Sequence, residues 1–320
     1  MIRSENKAKA YFAGITAIYI VISFVVAFLP EKFLTSEMSI LLGQSVVIIP
    51  GVIYCIINRR KVLKEIPFKK ISFLNILLVI LFTYAVLPVV TLINAISMLF
   101  VENSVSTVLD DFTRNPFLLA LFMVAVLPAV FEEFSFRGII YNGLKSRNIL
   151  YAIIVSGVSF GLFHMNINQF LYATVLGVVL ALLAEATDTI LAPMLMHFIF
   201  NSNSVVLTYL MEWLQKFINQ STAETEKITE EAADIQNYLG AVIAVYAVIG
   251  LIAGVIAFLL FMLIAKRCKR WEHIKSIFVN KKVENREKRK LLPQDIVCTV
   301  LYWRAVIVAI LVMILNEVAK

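Results

Sequence analysis

The sequence predicts an all-α fold, a polytopic transmembrane helical bundle of about nine spans with a cytoplasmic N-terminus. Hydrophobic residues make up 60% of the 320 residues, charged residues make up 16%, and the mean hydropathy is +0.86. A soluble domain has more charge than this. Apolar runs of roughly 20 residues recur along the chain, and each is long enough to cross a hydrocarbon core of about 30 Å. The runs do not alternate in polarity, so we expect helices as the spanning form.

The nine predicted spans are separated by short charged connections. The first span follows a basic start with Arg3, Lys7 and Lys9, and it is too long for a signal-peptide core and lacks a small-residue cleavage site. We therefore expect it to remain as an anchor. The spans are 11–29, 39–57, 72–100, 116–137, 149–165, 170–185, 189–213, 238–265 and 295–316. They form one predicted membrane domain over 1–320, with no soluble module or internal repeat.

The basic residues of the connections predict the orientation, because connections rich in Lys and Arg stay in the cytoplasm. Connections 58–71 and 266–294 are basic, whereas 101–115 and 214–237 are mainly acidic. Nine spans with a cytoplasmic N-terminus place all four on the expected sides. The segment 266–294 is thus a predicted basic cytoplasmic loop, suited either to an anionic leaflet surface or to plain solvation.

The positions of the positively charged residues also indicate which kinds of partner the chain binds. The formal net charge is +7, but the positive residues lie beside apolar spans, so we predict no nucleic-acid partner and take the lipid bilayer as the main one. Cys55, Cys268 and Cys298 have neither metal-ligand nor disulfide spacing, and we assign them no role. The sequence gives no indication of the oligomeric state.

Ionisable residues inside the spans are the candidates for function, since each costs roughly 2.5 to 3.5 kcal/mol in hydrocarbon. In FEEFSFRG at 131–138, Glu133 and Arg137 are four residues apart and can pair on one helix face. Glu132 has no such partner, and Pro128 one turn earlier is expected to kink the helix. Glu132 is therefore a candidate general base, although both acids would also suit a membrane interface.

Two further polar clusters contain histidine. Phe160 and His164 are one turn apart in FGLFH, and His197 and Asn201 are one turn apart in HFIFN. An imidazole and an amide on one face suit a developing oxyanion, but they also suit a polar contact between helices. Together the three clusters supply a carboxylate, two imidazoles and an amide, which are enough to activate water and stabilise a tetrahedral intermediate.

These motifs resemble those of the CPBP family of intramembrane proteases, which includes the type II CAAX prenyl endoproteases and bacterial proteins linked to bacteriocin processing or immunity. The family pattern of EExxxR, FxxxH and HxxxN is met here, in order, by Glu132-Glu133-Arg137, Phe160-His164 and His197-Asn201. The resemblance implies a peptide-bond hydrolase with a catalytic core at about 116–213 and a site that opens toward the cytoplasm.

The resemblance also implies a role for each matched residue. Glu132 would activate water, His164 would help to hold that water, and His197 and Asn201 would form the oxyanion hole. The supporting residues would be Glu133, Arg137 and Phe160. Short connections and an uncleaved anchor favour a bacterial plasma membrane, with a peptide or membrane-protein substrate.

No cofactor is favoured for this site. Zinc is the alternative, because Glu132, His164 and His197 are the residue types of a three-ligand catalytic zinc site and members of the family are often called metalloproteases. The sequence has no HExxH motif, and the neighbouring Asn201 suits an oxyanion better than a metal. We therefore favour a metal-free glutamate mechanism.

Two other functions compete with this one. The segment Gly157-Val158-Ser159-Phe160-Gly161 fits the nucleophile-elbow pattern GxSxG, but an elbow needs a strand-to-helix turn, whereas small residues in a span are typical of close helix packing. A non-enzymatic immunity, binding or transport protein could use the same polar residues, although the chain shows no repeat symmetry.

The predicted spans conflict with the motif at one point. If the fifth span begins near 149 in the cytoplasm, His164 lies about 22 Å along it at 1.5 Å per residue. Glu132, in contrast, lies near the cytoplasmic end of a span that stops at 137. We expect the bounds around 138–150 to be wrong and the motif to be right.

Overall fold

The computed structural model describes residues 4–30, 33–58, 65–101, 113–146, 148–221, 234–279 and 292–319, with the side chains of 218–221 and 234–238 left out. Within these ranges the chain forms ten helices and no strand, which confirms the predicted all-α class. The helices are α1 (Ser4–Val26), α2 (Ser36–Asn58), α3 (Phe73–Ser97), α4 (Phe117–Leu144), α5 (Ile149–Phe163), α6 (Ile167–Thr187), α7 (Leu191–Ser221), α8 (Asp234–Arg267), α9 (Trp271–Val279) and α10 (Pro293–Val318).

Eight of the described helices are long and apolar enough to cross a membrane, so the chain is a multi-pass membrane protein. The fifth predicted span, 149–165, is the exception: it is α5, which has 15 residues and is about 22 Å long, less than a full hydrocarbon core. Asn148 caps its start by accepting a hydrogen bond from Tyr151 N at 2.9 Å. Asn166 caps α6 in the same way, so α5 and α6 form a tight antiparallel hairpin.

The predicted end of the fourth span at residue 137 is wrong, because it falls inside helix α4. It continues to Leu144, because Arg137 is paired with Glu133 at 2.7 Å with both side chains fully buried, and so does not mark a membrane interface. Glu132 consequently lies twelve residues, or about 18 Å, before the end of α4, while His164 lies about 22 Å beyond the start of α5. The two residues are at similar depths, and the expected error around 138–150 is confirmed.

The bundle has two ends, which we name after the charges of their connections. At the basic end, the α4–α5 and α6–α7 connections contact neighbouring helix ends: Ser4 Oγ lies 3.2 Å from Ser146 Oγ, and Ile190 N donates to Pro67 O at 2.9 Å. At the acidic end, the α5–α6 connection accepts a hydrogen bond from α10, between Asn316 Nδ2 and Met165 O at 3.0 Å.

The predicted orientation depends on charges that lie mostly outside the described residues. Segments 59–64, 102–112, 222–233 and 280–291 carry most of the charged side chains of the four connections. The assignment of the basic end to the cytoplasm therefore stays a prediction.

Part of the predicted basic loop 266–294 is the short helix α9. Ile274 is buried against Ala186 and Ala265, and Arg270 Nη2 and His273 Nε2 lie 2.5 and 2.6 Å from Glu185 Oε1 near the end of α6. Helix α9 thus packs against α6 and α8 at the basic end of the bundle.

Glycines allow α5 and α6 to approach each other closely. A Cβ at Gly161 would lie 2.6 Å from Phe170 O, and a Cβ at Gly157 would lie 2.9 Å from Val178 N. Between these glycines, Ser159 is fully buried, with its Oγ 3.1 Å from Tyr302 OH of α10. The GxSxG pattern is therefore a packing motif in a helix, as expected, and not a nucleophile elbow.

We expect Gly161→Ala to destabilise the protein by about 1–3 kcal/mol, because the added methyl group meets a backbone carbonyl that cannot move alone. Thermal unfolding of the purified protein in detergent would measure the change. Gly14→Ala is the matched control, since a Cβ there meets nothing within 4 Å and alanine is the better helix former. An equal or higher melting temperature for Gly161→Ala would contradict this packing.

Candidate active site

Four helices surround a cavity of about 170 Å³ inside the bundle. Helix α4 provides Val124, Pro128 and Glu132; α5 provides Phe160 and His164; α6 provides Gln169, Tyr172, Ala173 and Leu176; and α7 provides His197, Phe200, Asn201 and Ser204. The four residues predicted to be catalytic therefore line one cavity together with Phe160. The other two predicted supporting residues, Glu133 and Arg137, lie behind its wall.

A buried ion pair forms the base of the cavity. Arg137 Nη1 donates to Glu133 Oε1 at 2.7 Å, and Arg137 Nη2 donates to Gly177 O of α6 at 3.0 Å. The Arg137 guanidinium also lies 4.6 Å from the centroid of the Phe160 ring. The predicted pairing of Glu133 with Arg137 is thus present, and it connects α4 to α5 and α6.

His197 is oriented by the same carboxylate. Its Nδ1 lies 2.8 Å from Glu133 Oε1, and its Nε2 lies 3.9 Å from Glu132 Oε2. An ionised carboxylate can only accept, so Nδ1 carries the hydrogen and Nε2 is the atom that faces Glu132. The two acids of the EE motif therefore contact opposite sides of one imidazole.

Sequence reasoning missed Gln44 of α2, which contacts the candidate base directly. Gln44 Nε2 donates to Glu132 Oε1 at 3.1 Å, and both side chains are buried. Gln44 Oε1 has no hydrogen-bond partner within the described part of the chain. A glutamine inside an apolar span is a polar exception of the kind that marks function in membranes, but its partner is 88 residues away and no local spacing connects them.

His164 lies at the end of α5, where its imidazole packs against the aromatic ring of Phe160. Its Nδ1 lies 2.8 Å from Phe160 O, a carbonyl that can only accept, so Nδ1 is the donor and Nε2 keeps its lone pair in the neutral ring. The Phe160 ring is 5.0 Å from the His164 ring and 5.8 Å from the His197 ring, both nearly perpendicular. Phe160 therefore separates the two imidazoles and limits how each can turn.

Pro128 creates the contact that holds Asn201. Proline has no N–H, so it cannot satisfy the carbonyl of Val124 four residues earlier, and Asn201 Nδ2 donates to Val124 O at 3.0 Å instead. The segments on either side, Leu121–Val126 and Phe134–Tyr141, are π-helical, a form often found at functional sites. Pro128 and Glu132 thus lie between two π-helical segments, and the kink at Pro128 stays a prediction.

The residues of the alternative zinc set, Glu132, His164 and His197, all line the cavity. Within the described residues, no group of three or more His, Cys, Asp or Glu side chains is placed to hold a metal ion. His164 and His197 each use Nδ1 for a contact with protein, which leaves Nε2 of both rings free, as in metal-ligating histidines, and Glu132 Oε1 accepts from Gln44. Zinc therefore stays the alternative to a metal-free mechanism.

Comparison with known proteins covers this same part of the chain. Residues 114–203 match the family model described as "Type II CAAX prenyl endopeptidase Rce1-like". We refer to residues 114–203, by this similarity, as the Rce1-like segment. The chain is also similar to a protein of Bacillus subtilis (strain 168) named "Putative membrane peptidase YdiL", with 27% identity over 128 residues, which are 40% of this chain and 50% of that protein. The chain thus spans about half the length of this curated relative. No solved structure matches the chain.

The match confirms the resemblance predicted from the three motifs. The Rce1-like segment contains Glu132, His164 and His197 together with Asn201, whereas α2 with Gln44 lies outside it. Neither match concerns bacteriocin immunity, so that part of the prediction is not supported. The role of each residue stays a proposal.

We expect Arg137→Met to destabilise the Rce1-like segment by about 3–5 kcal/mol, because it leaves the Glu133 carboxylate buried without a cation. Thermal unfolding in detergent is the measurement. Arg304→Met on the exposed face of α10 is the matched control and should change stability by less than about 0.5 kcal/mol. Equal stability of the two variants would show that the buried pair is dispensable.

We expect Gln44→Leu to lower kcat about tenfold or more while the protein stays folded, since a hydrogen bond to a charged group contributes about 1.5–3 kcal/mol. Turnover of a cleaved substrate by purified protein would measure it, with unfolding temperature recorded in parallel. Gln215→Leu on an exposed position of α7 is the control. An unchanged kcat would show that Gln44 does not contribute to the proposed reaction.

Proposed function

We propose that the chain is an intramembrane endopeptidase of the CAAX type that hydrolyses peptide bonds by glutamate-activated water. The observation that carries the proposal is the position of Glu132. Glu132 is 5% exposed and lies at the inner end of the cavity, while Arg137 is paired with the adjacent Glu133. A buried carboxylate that faces a cavity, while the cation of its helix is paired with the adjacent acid, suits a general base.

In the proposed reaction, Glu132 accepts a proton from a water molecule as the water oxygen attacks the peptide carbonyl carbon. His164 accepts a hydrogen bond from that water through Nε2, the nitrogen that Phe160 O leaves free. After the tetrahedral intermediate forms, its C–N bond breaks and Glu132 returns the proton to the leaving nitrogen. The step balances without a cofactor or a covalent enzyme intermediate.

His197 and Asn201 are the proposed oxyanion donors. Asn201 donates one amide hydrogen to Val124 O and keeps the second for the oxyanion. His197 uses Nδ1 for Glu133, so it donates from Nε2 when both ring nitrogens carry hydrogen. Glu133 and Arg137 act on the reaction through His197 and Phe160, which makes them positioning residues.

The proposed catalytic core is the region of about 116–213, which is α4 to α7 in the structure. The proposed location is a bacterial plasma membrane, supported by the similarity to a Bacillus subtilis protein. The proposed substrate is a peptide or a membrane protein.

Glu132→Gln should reduce peptidase activity by about 10²–10⁴-fold, because it keeps the shape of the side chain and removes the base. Proteomic comparison of membranes that contain the wild-type or Glu132→Gln protein would identify substrates, and a cleaved peptide from that set would give kcat. The unfolding temperature should change little.

Two outcomes would contradict the mechanism. If Glu132→Gln kept the biological function of the wild type, the chain would act by binding or transport. If Ser159→Ala abolished cleavage and Glu132→Gln retained it, serine chemistry would replace the glutamate mechanism.

A further inference from the structure

We infer that a groove between α3, α6, α8 and α9 binds one anionic phospholipid, with an acyl chain inside the groove and the headgroup at Lys275. The groove has a volume of about 520 Å³, within the roughly 300–1,000 Å³ of typical ligand pockets. It shares no lining residue with the cavity at Glu132. The inference therefore does not depend on the proposed function.

The walls of the groove suit a hydrocarbon chain. Among the lining residues that the structure describes, Lys275 is the one charged side chain. The others are apolar or aromatic, and they include Val86 and Val90 of α3, Val179 of α6 and Phe258 of α8. Such walls offer water no hydrogen-bond partners, so the apolar part of a lipid is the occupant that they favour.

The groove is also long enough for most of an acyl chain. It extends along α8 from Gly254 to Phe261 and continues at α9, which follows the end of α8 at Arg267. Gly254 lies thirteen residues before Arg267, or about 20 Å along the helix, and one leaflet contributes about 15 Å to the hydrocarbon core. A chain that enters beside α9 therefore reaches the middle of the bilayer within the groove.

The inner end of the groove is open because residue 254 is a glycine. A Cβ at Gly254 would have Val89 Cγ2 as its nearest neighbour, at 3.7 Å. Neither atom of this contact is crowded, in contrast to the glycines of α5 and α6, where an added Cβ would meet backbone atoms at under 3 Å. Gly254 thus leaves space that a lipid chain can fill.

The charge at the outer end of the groove favours an anionic lipid. Lys266, Arg267 and Lys269 are exposed where α8 ends, and Lys275 is exposed on α9. Lys275 Nζ lies 2.8 Å from Glu272 Oε2, but both side chains are largely exposed, so the pair contributes little and the lysine is free to contact a phosphate. Lys and Arg side chains near a membrane surface attract anionic headgroups.

The position of α9 is fixed by other contacts, which leave its apolar side chains beside the groove. Arg270 Nη2 and His273 Nε2 lie 2.5 and 2.6 Å from Glu185 Oε1, and Arg270 Nε donates to Glu185 O at 3.1 Å. Phe278 and Val279 line the groove and are largely exposed. An acyl chain in the groove would cover this exposed apolar surface.

Lipid binding by the full-length protein tests the inference. Purified protein in detergent is mixed with dioleoyl phosphatidylglycerol or with dioleoyl phosphatidylcholine, and native mass spectrometry gives the number of bound lipids and each Kd. Glycerol 3-phosphate is the third ligand, since it carries the phosphate without the chains. We expect one phosphatidylglycerol to bind about fivefold or more tightly than phosphatidylcholine, the factor that one cation near a headgroup supplies. Glycerol 3-phosphate should not bind.

Two variants test the two parts of the site. Gly254→Leu fills the inner end of the groove and should weaken the binding of both lipids about tenfold or more, whereas Gly240→Leu on the same helix, where a Cβ meets nothing within 4 Å, should change neither. Lys275→Gln should weaken phosphatidylglycerol binding about fivefold. Lys216→Gln is its control, because Lys216 is likewise exposed and paired with a glutamate of its own helix.

Three outcomes would overturn the inference. Equal affinity of the wild type for the two phospholipids would remove the preference for an anionic headgroup, and binding of glycerol 3-phosphate would indicate a soluble phosphate ligand. Wild-type lipid affinity in a folded Gly254→Leu protein would place the chain elsewhere. The unfolding temperature shows whether that variant is folded; if it is not, Lys275→Gln decides, and an unchanged affinity for phosphatidylglycerol would overturn the inference.

Discussion

The pairing of Glu133 with Arg137 is the interaction on which the rest of the site depends. Neither charge would be tolerated alone in hydrocarbon, where breaking such a pair costs about 3–5 kcal/mol. Once paired, the two side chains serve other helices: Glu133 accepts from His197 of α7, and Arg137 donates to Gly177 O of α6. One pair on α4 thus holds α6 and α7 in register and leaves Glu132 facing the cavity.

The backbone of α4 adds a second constraint. A regular α-helix would satisfy Val124 O within its own chain, but Pro128 cannot donate to it, and the amide of Asn201 takes that place. The side chain proposed as an oxyanion donor is therefore fixed by a gap in the hydrogen bonding of another helix. Two π-helical segments flank the helical turn that contains Pro128 and Glu132.

Composition and hydropathy were sufficient to predict the helical membrane fold, because the bilayer leaves few alternatives for long apolar runs. Helix spacing also predicted the pairing of Glu133 with Arg137. The predicted end of α4 at residue 137 is too early, because Arg137 is neutralised inside the span and does not lie at the membrane edge. The contact of Gln44 with Glu132 could not be predicted, since it depends on which helices are neighbours in space.

The glycine contacts between α5 and α6 limit how the cavity could widen. A cavity of about 170 Å³ is smaller than the roughly 300–1,000 Å³ of typical ligand pockets, so it would have to widen to hold a peptide. The hairpin leaves no room for a further side chain, because a Cβ added at Gly177 would lie 2.9 Å from Gly157 Cα. Under the proposed function, widening of the cavity would therefore require α4 or α7 to move, since α5 and α6 are packed without space between them.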